Sequence, residues 1–567
     1  MKRLIPVLVP IILILIIGGI MAGRMLVEKY SYSKEEADLD AYFGVEPGSS
    51  RLAIILQDEM VEEQAYYRDG ICYFDLAAVH RYFNDGFYVD EQEGLLLYTT
   101  ATETARVRLG EASVDIGGTT EALSYVPAML EGDRLYIAAD YLRLYTNFSW
   151  NVYDRHVQVY TEWGTRQVAM VRVNTAVRVL GGIKSPILRA VEENEQVEIL
   201  ETMETWSKVK TSDSIIGYIE NKQLTESVSE EEMPVTDYVE AEYTTRQLEN
   251  KLCLGWHAIG GVAGNDTLSE VTAEAKGLNV IAPTWFSLSD DEGNFRSFGT
   301  VDYVDRAHGM GLQVWGVLDD FNYAADSGAA VDVYKVLSST TRRTHLVEGI
   351  TGAALQLGLD GINLDFEKVG ADAGEHFAQF VRELSVQCRL IGLTLSIDNY
   401  VPFSFNEYMR RDVQGKVADY VIVMGYDEHW GGSGDPGSVA SINYVSSGID
   451  KTLNQVPADK VVNALPFYTR LWKINGAAVT DEAILLANTM DFLARMGVEP
   501  VWDEETQQYY AEWTRDSITY KIWAETVESI EVKLNVMKVR DIAGVAVWRL
   551  GYGNDAVWEM ISAYVNS

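Results

Sequence analysis

Eight short apolar runs, LCLGWHAI, LNVIAPTWF, LQVWGVL, GINLDFE, IGLTLSI, YVIVMGY, VVNALPFY and GVAVWRL, recur between residues 250 and 567 with helix-patterned segments between them. Strands separated by helices pair in parallel, because each return to the same edge needs a long crossover. Eight such units close into a (β/α)8 TIM barrel, whose functional face lies at the C-terminal ends of the strands. The stretch from 250 to 567 holds 318 residues, more than the roughly 250 such a barrel needs. The excess is assigned to an insertion between the seventh and eighth strands, roughly residues 474–519.

The run DGINLDFE, Asp360 to Glu367, departs from the others by carrying polar residues at 363, 365 and 367. A period of two puts Asn363, Asp365 and Glu367 on one face of a strand. Burying unpaired charges side by side costs several kcal/mol each, which a structural strand avoids with Val or Leu, so this face is read as functional. Glu367 lies at the open end and Asp365 one pleat repeat below it, about 6 to 7 Å along the strand. Desolvation and a neighbouring carboxylate both raise a Glu pKa, as a general acid working near neutrality requires.

This octapeptide resembles the signature of glycoside hydrolase family 18, D-G-x-[DN]-x-[DN]-x-E, and further matches follow in chain order. Met424-Gly425-Tyr426-Asp427 resembles that family's M-x-Y-D element, Leu465-Pro466-Phe467-Tyr468 its seventh-strand P-F-Y, and Trp548 the tryptophan that floors the sugar site. With IAPTWF early and IWAETVESIEVKL before the last strand, the sequence is most similar to the spore-wall and peptidoglycan N-acetylglucosaminidase branch. The resemblance implies hydrolysis with retention, the substrate's own 2-acetamido oxygen replacing an enzyme nucleophile. It implies Glu367 as the acid and later the base, Asp365 as acceptor of the acetamide N–H, and Tyr426 as the group that steadies the acetamide oxygen. Asn363, Met424, Asp427, Tyr468 and Trp548 are implied as substrate-binding residues, acting on an N-acetylglucosamine-containing polysaccharide.

The sequence departs from that family's pattern at two points. Asn363 stands where the first Asp of the D-x-D-x-E core is usual, so no carboxylate is expected beneath Glu367 to share a proton, and Asp365 is expected to stay ionised to lower pH. The third strand carries GVLDDF in place of S-x-G-G, and its Asp319 and Asp320 read as a solvated loop beside the cleft.

The rest of the chain sets the context for this domain. Leu4 to Gly23 is an uncharged apolar stretch of 20 residues, long enough to cross about 30 Å of hydrocarbon. It is read as an uncleaved transmembrane anchor within residues 1–30, and the flanking charges put the N-terminus in the cytoplasm and the remainder outside the cell membrane. Residues 40–165 contain an internal repeat with a period of 63, in which Tyr73, Val79, Tyr82, Phe87 and Val89 recur as Tyr136, Leu142, Tyr145, Trp150 and Val152. The repeat resembles the amine-oxidase N-terminal-like α+β domain of bacterial exported proteins. Residues 168–225 alternate in short runs, a small all-β barrel that resembles bacterial SH3 domains at Trp206, Val209 and Gly217-Tyr218, a likeness that implies cell-wall binding. The polar, acidic segment 226–249 is read as a linker.

The formal net charge of −38 excludes a nucleic-acid partner, whose polyanionic backbone needs cations. Three separated cysteines and seven scattered histidines imply no metal and no cofactor. A chitinase or an endo-β-N-acetylglucosaminidase would carry the same site residues, and a non-catalytic glycan-binding protein is the alternative from another class, although family lectins lack the acid supplied here by Glu367.

Overall fold

The computed structural model describes residues 5–231, 238–321 and 330–567, which fall into two compact units. The larger comprises residues 88–106, 115–119 and 241–567. In it all eight apolar runs form strands: β1 (Leu252–His257), β2 (Val280–Pro283), β3 (Gln313–Asp319), β4 (Gly361–Asp365), β5 (Thr394–Tyr400), β6 (Tyr420–Met424), β7 (Val461–Pro466) and β8 (Gly544–Trp548). Every neighbouring pair is parallel, and β3 returns to β2 through Val280↔Gln313 and Ile281↔Val314, closing the barrel.

β6, YVIVM, is buried at every residue, the pattern of a strand covered by helices outside and packed side chains inside. The helix Gly374–Ile391 buries Phe377, Phe380, Val381, Leu384 and Cys388, an apolar stripe at helical spacing. It ends because Gly392 adopts a left-handed φ of 77° and returns its N–H to the carbonyls of Arg389 and Cys388, a conformation glycine takes without strain. Truncating a side chain such as Phe380 to Ala would cost about 3–5 kcal/mol.

Between β7 and β8 an antiparallel sheet of five strands, starting at Tyr468 and ending at Ala524, carries the helix Leu486–Met496. The insertion is therefore wider than residues 474–519. Its first strand, Tyr468–Asn475, follows β7 after the single residue Phe467, so no turn residue marks the boundary. Leu471, Ile484, Leu493, Ala511 and Ile522 form its own small core.

Residues 88–106 also belong to the barrel unit. The Asp90 carboxylate accepts the backbone N–H of Thr340 at 2.6 Å, Glu93 accepts the Ser339 hydroxyl at 2.6 Å, and Arg343 donates to the Tyr88 hydroxyl at 3.0 Å. These contacts complete the start of the helix Thr340–Leu357, whose first N–H groups have no partner within the helix.

The smaller unit holds the helix Ile5–Tyr30, which by length and composition could cross a membrane and is exposed along its described side chains. It also holds a seven-stranded sheet over residues 51–160 and another over residues 165–231. In the first, the strand Ile71–Asp75 and the strand Arg134–Ala138 pair antiparallel, and each is followed by a short helix. In the second, Val209 pairs with Gly217, where a Cβ would lie 2.5 Å from the Arg178 carbonyl oxygen, so only glycine fits.

The segment read as a linker is partly structured. Val228–Glu231 adds an exposed edge strand to Thr165–Met170. In the barrel unit, Arg246 N–H donates to Asp419 at 2.7 Å and Leu248 N–H to the Tyr420 hydroxyl at 2.8 Å. Residues 232–237, which include Pro234, lie outside the described residues.

Candidate active site

β4 brings Asn363 and Asp365 onto the inner face, and Glu367 follows two residues beyond the end of the strand. Asn363 is fully buried and uses its amide in both directions. Its Oδ1 accepts from Trp256 Nε1 at 2.9 Å, while Nδ2 donates to Ser396 Oγ at 2.9 Å and to Asp398 Oδ1 at 2.8 Å. The amide supplies both roles without a proton to gain or lose, whereas an ionised carboxylate accepts and never donates. Asn363 therefore sits in the floor beneath the carboxylates, with its polar atoms committed to protein.

Above that floor the acidic groups crowd together. Burial, then Asp398, then Glu367, Asp319 and Asp320 hold the Asp365 pKa well above the usual carboxylate range. The expectation that Asp365 stays ionised to lower pH is overturned: the sequence argument considered only its own strand, and the neighbouring β5 supplies a buried carboxylate, Asp398.

Glu367 is pushed up by burial and by Asp320, Asp427 and Asp319, against a hydrogen bond from the Tyr400 hydroxyl that pulls it down. Its backbone is fixed from β3. Asp320 accepts the N–H of Glu367 at 3.0 Å and that of Lys368 at 2.8 Å, and burial raises its own pKa to about 6. Asp319 accepts the Ser287 hydroxyl at 2.6 Å. Reading Asp319 and Asp320 as a solvated loop is thus corrected, for they are 4% and 1% exposed. They terminate a buried strand and hold polar groups that would otherwise lack partners.

β6 ends at Met424, buried, and Tyr426 follows, also buried. Burial first, then Tyr468, Asp365, Glu367 and Asp398, raise the Tyr426 phenol well above its ordinary value, so it stays a neutral hydroxyl. Asp427 adopts a left-handed φ of 56°, a conformation Asp tolerates better than most residues. It accepts the Tyr468 hydroxyl at 2.5 Å and Arg470 Nη2 at 3.4 Å. Trp548 closes β8 half-buried, its ring 6.0 Å from that of Trp256, which anchors Asn363.

The barrel thus carries Asp365, Glu367, Tyr426 and Trp548 at or just past the C-terminal ends of their strands, with Asp427 and Tyr468 joined beside them. The site also includes Asp320, which the sequence reading left to a solvated loop, and Asp398, Tyr400, Trp256 and Arg470, which it did not single out. For two of them a signal was present: Ser396, Asp398 and Tyr400 extend β5 with the same period of two that marks β4.

Residues 326–553 match the sequence profile of Glycosyl hydrolases family 18. The chain carries a family 18 domain. The cortical fragment-lytic enzyme of Bacillus anthracis is 25% identical over 254 residues, 43% of this chain and 57% of that protein. A Bacillus subtilis glycosylase, YvbX, is 24% identical over 294 residues, 50% of this chain and 84% of that protein. The spore cortex-lytic enzyme SleL of Bacillus cereus has the same fold, with a TM-score of 0.50 at 20% identity, over 59% of this chain and 79% of SleL. This chain spans little more than half the length of several curated relatives it matches, 54% for a Bacillus subtilis sporulation glycosylase, YdhD, that is 29% identical over 39% of this chain. In this family 18 domain, Asn363, Asp365 and Glu367 come from the segment that carries the signature.

Proposed function

We propose that this protein is a membrane-anchored, extracytoplasmic glycoside hydrolase that cleaves β-1,4 bonds after N-acetylglucosamine in peptidoglycan or spore cortex, with retention and assistance from the substrate's acetamide. The observation that carries the reading is the gathering of Asp365 at the end of β4, Glu367 two residues beyond it and the buried, neutral Tyr426 hydroxyl just past β6. Glu367, whose pKa is raised by burial and by Asp320, donates its proton to the glycosidic oxygen and recovers one from the attacking water. Asp365 accepts the acetamide N–H and balances the positive charge that develops on the ring formed by the acetamide. Tyr426 donates to the acetamide oxygen and holds it for attack. Met424, Asp427, Tyr468 and Trp548 bind the sugar, and Asn363 supports it from beneath.

The wall substrate is supported by the relatives named for cortical fragment lysis and sporulation. The helix Ile5–Tyr30 would tether the enzyme, residues 168–225 would act as an SH3-like wall-binding module, and residues 40–165 as an amine-oxidase N-terminal-like repeat domain. Digestion of purified peptidoglycan and of chitin oligosaccharides by the full chain in detergent, with Glu367→Gln alongside, tests the reading by mass spectrometry. Fragments ending in reducing N-acetylglucosamine from peptidoglycan, absent with the variant, are expected. Release from chitin alone would move the substrate to chitin, and release from neither would leave a glycan-binding protein.

A further inference from the structure

Asn363 occupies the position where the family resemblance leads one to expect a carboxylate, yet a carboxylate lies beside it on the next strand. We infer that Asp398 on β5 is the proton-holding partner of Asp365, locked in place by Asn363. The kinetic consequences rest on the proposed hydrolase activity, whereas the protonation itself does not.

The register brings the two together. Asn363 pairs with Ser396 and Leu364 with Ile397, so the next residues in step are Asp365 and Asp398. Neighbouring strands lie about 4.8 Å apart, and residues in step share a face. Asp398 is 2% exposed, and its Oδ1 accepts the Asn363 amide at 2.8 Å. Its Oδ2 is buried with no hydrogen-bond partner, and so is Oδ1 of Asp365.

Two orphaned carboxylate oxygens on adjacent strands are satisfied together by one proton. Two full charges at this spacing repel strongly, while a pair holding one proton carries a single charge and one O–H···O bond. The groups that act on the pair are of no help as counter-ions: Glu367 beyond β4, Asp319 and Asp320 at the end of β3, and the neutral Tyr426 beyond β6. Tyr400, at the end of β5, donates to Glu367. The nearby cations are engaged elsewhere, Lys368 Nζ on the Phe321 carbonyl oxygen and Arg470 on Asp427 and Asp481.

Asn363 gives the pair its polarity. Because Trp256 donates to its Oδ1, its Nδ2 must face Asp398, and this donor holds Oδ1 while Oδ2 is left for the proton. With the proton on Asp398, Asp365 is free as an anion to accept the acetamide N–H. With the proton on Asp365, the group is a neutral donor. The proton passes from Asp365 to Asp398 as the substrate N–H arrives and returns when product leaves, so the pair neither gains nor loses one.

Infrared difference spectra need no substrate. In the Glu367→Gln protein at pH 7, the carbonyl band of protonated carboxyl groups, identified by its shift in deuterated water, is expected to lose one carboxyl's intensity when Asp398→Asn is added. An unchanged band would overturn the inference whatever the activity proves to be. The kinetic arm compares Asp398→Asn with the exchanged pair Asn363→Asp/Asp398→Asn, which keeps one carboxyl and one amide in the floor. Asp398→Asn is expected to move the acid limb of the kcat profile to lower pH, because Asp365 loses its like-charged neighbour. The exchanged pair is expected to bring the limb back and to recover about tenfold of the lost kcat. A loss of kcat with an unmoved limb and no recovery would mark Asp398 as merely structural.

Discussion

Glu525 and Asp365 are both carboxylates withdrawn from water inside the barrel unit, yet their surroundings are opposite. Glu525, where the insertion returns to the barrel, receives Lys533 Nζ on both oxygens at 2.8 and 2.7 Å, Gln508 Nε2 at 2.6 Å and Ser529 Oγ at 2.7 Å. Its charge is matched by a cation and its lone pairs are filled. Asp365 has Asp398, Glu367, Asp319 and Asp320 for company. The first arrangement is one a fold can keep for its stability, whereas the second opposes folding and is understandable only if the raised pKa values are used. Burial by itself says nothing of purpose, and what distinguishes the two is whether the charge has been answered.

The sharpest break in that comparison is Glu367→Gln. Removing the acid should lower hydrolysis by about 10²- to 10⁴-fold while raising the midpoint of thermal unfolding slightly, since one member of a repelling group is gone. Parallel reducing-end assays and thermal melts read both effects, and a fall in the midpoint would contradict the view of the cluster as uncompensated. Next, Lys533→Met should cost about 3–5 kcal/mol in urea unfolding, because it strands Glu525. Adding Glu525→Leu should recover most of that loss, as expected when a buried pair is replaced by packed apolar groups.

A smaller effect follows from Asp320, whose pKa is pushed up to about 6 by burial. A carboxyl raised in the folded state binds more protons there than in the unfolded chain, so its contribution to stability is greatest below pH 4 and is lost as the pH climbs to 6. The loss amounts to about 3 kcal/mol at most. Asp320→Asn should lack this component, which urea titrations at pH 4.5 and 7 would reveal as a smaller difference than in the wild type. The mildest test is Tyr400→Phe. Without the hydroxyl that pulls the Glu367 pKa down, Glu367 keeps its proton to higher pH and the basic limb of the rate profile should move up. The rate at its optimum should fall about 2- to 10-fold, the worth of one hydrogen bond.

The barrel was legible in the sequence because each strand is a run of apolar residues buried on both sides, a signal independent of what the strand contacts. The line Asn363, Asp365, Glu367 was legible for the same reason in reverse, since polar residues at a period of two interrupt such a run. Asp398 was not found because the apolar run IGLTLSI ends one residue before it, and what makes Asp398 important is the register between β4 and β5, which no single segment contains. Asp319 and Asp320 look like loop residues in GVLDDF, and only the pairing of β3 with β4, which sets Asp319 opposite Asp365, brings Asp320 to the backbone of Glu367. The width of the insertion was missed because Tyr468 and Arg470 continue β7 without a turn.

That continuity has a consequence for anyone wishing to trade parts between such proteins. Tyr468 and Arg470 lie on the insertion's first strand and both reach Asp427, while Thr469, between them, accepts the backbone N–H of Glu525 at 2.8 Å from the returning strand. A graft cut at the apparent edge of the barrel would carry away with the ornament the two residues that donate to Asp427. The serviceable splice points lie further out, past Trp472 on one strand and before Ile522 on the other, where the two strands pair and no side chain reaches back to Asp427.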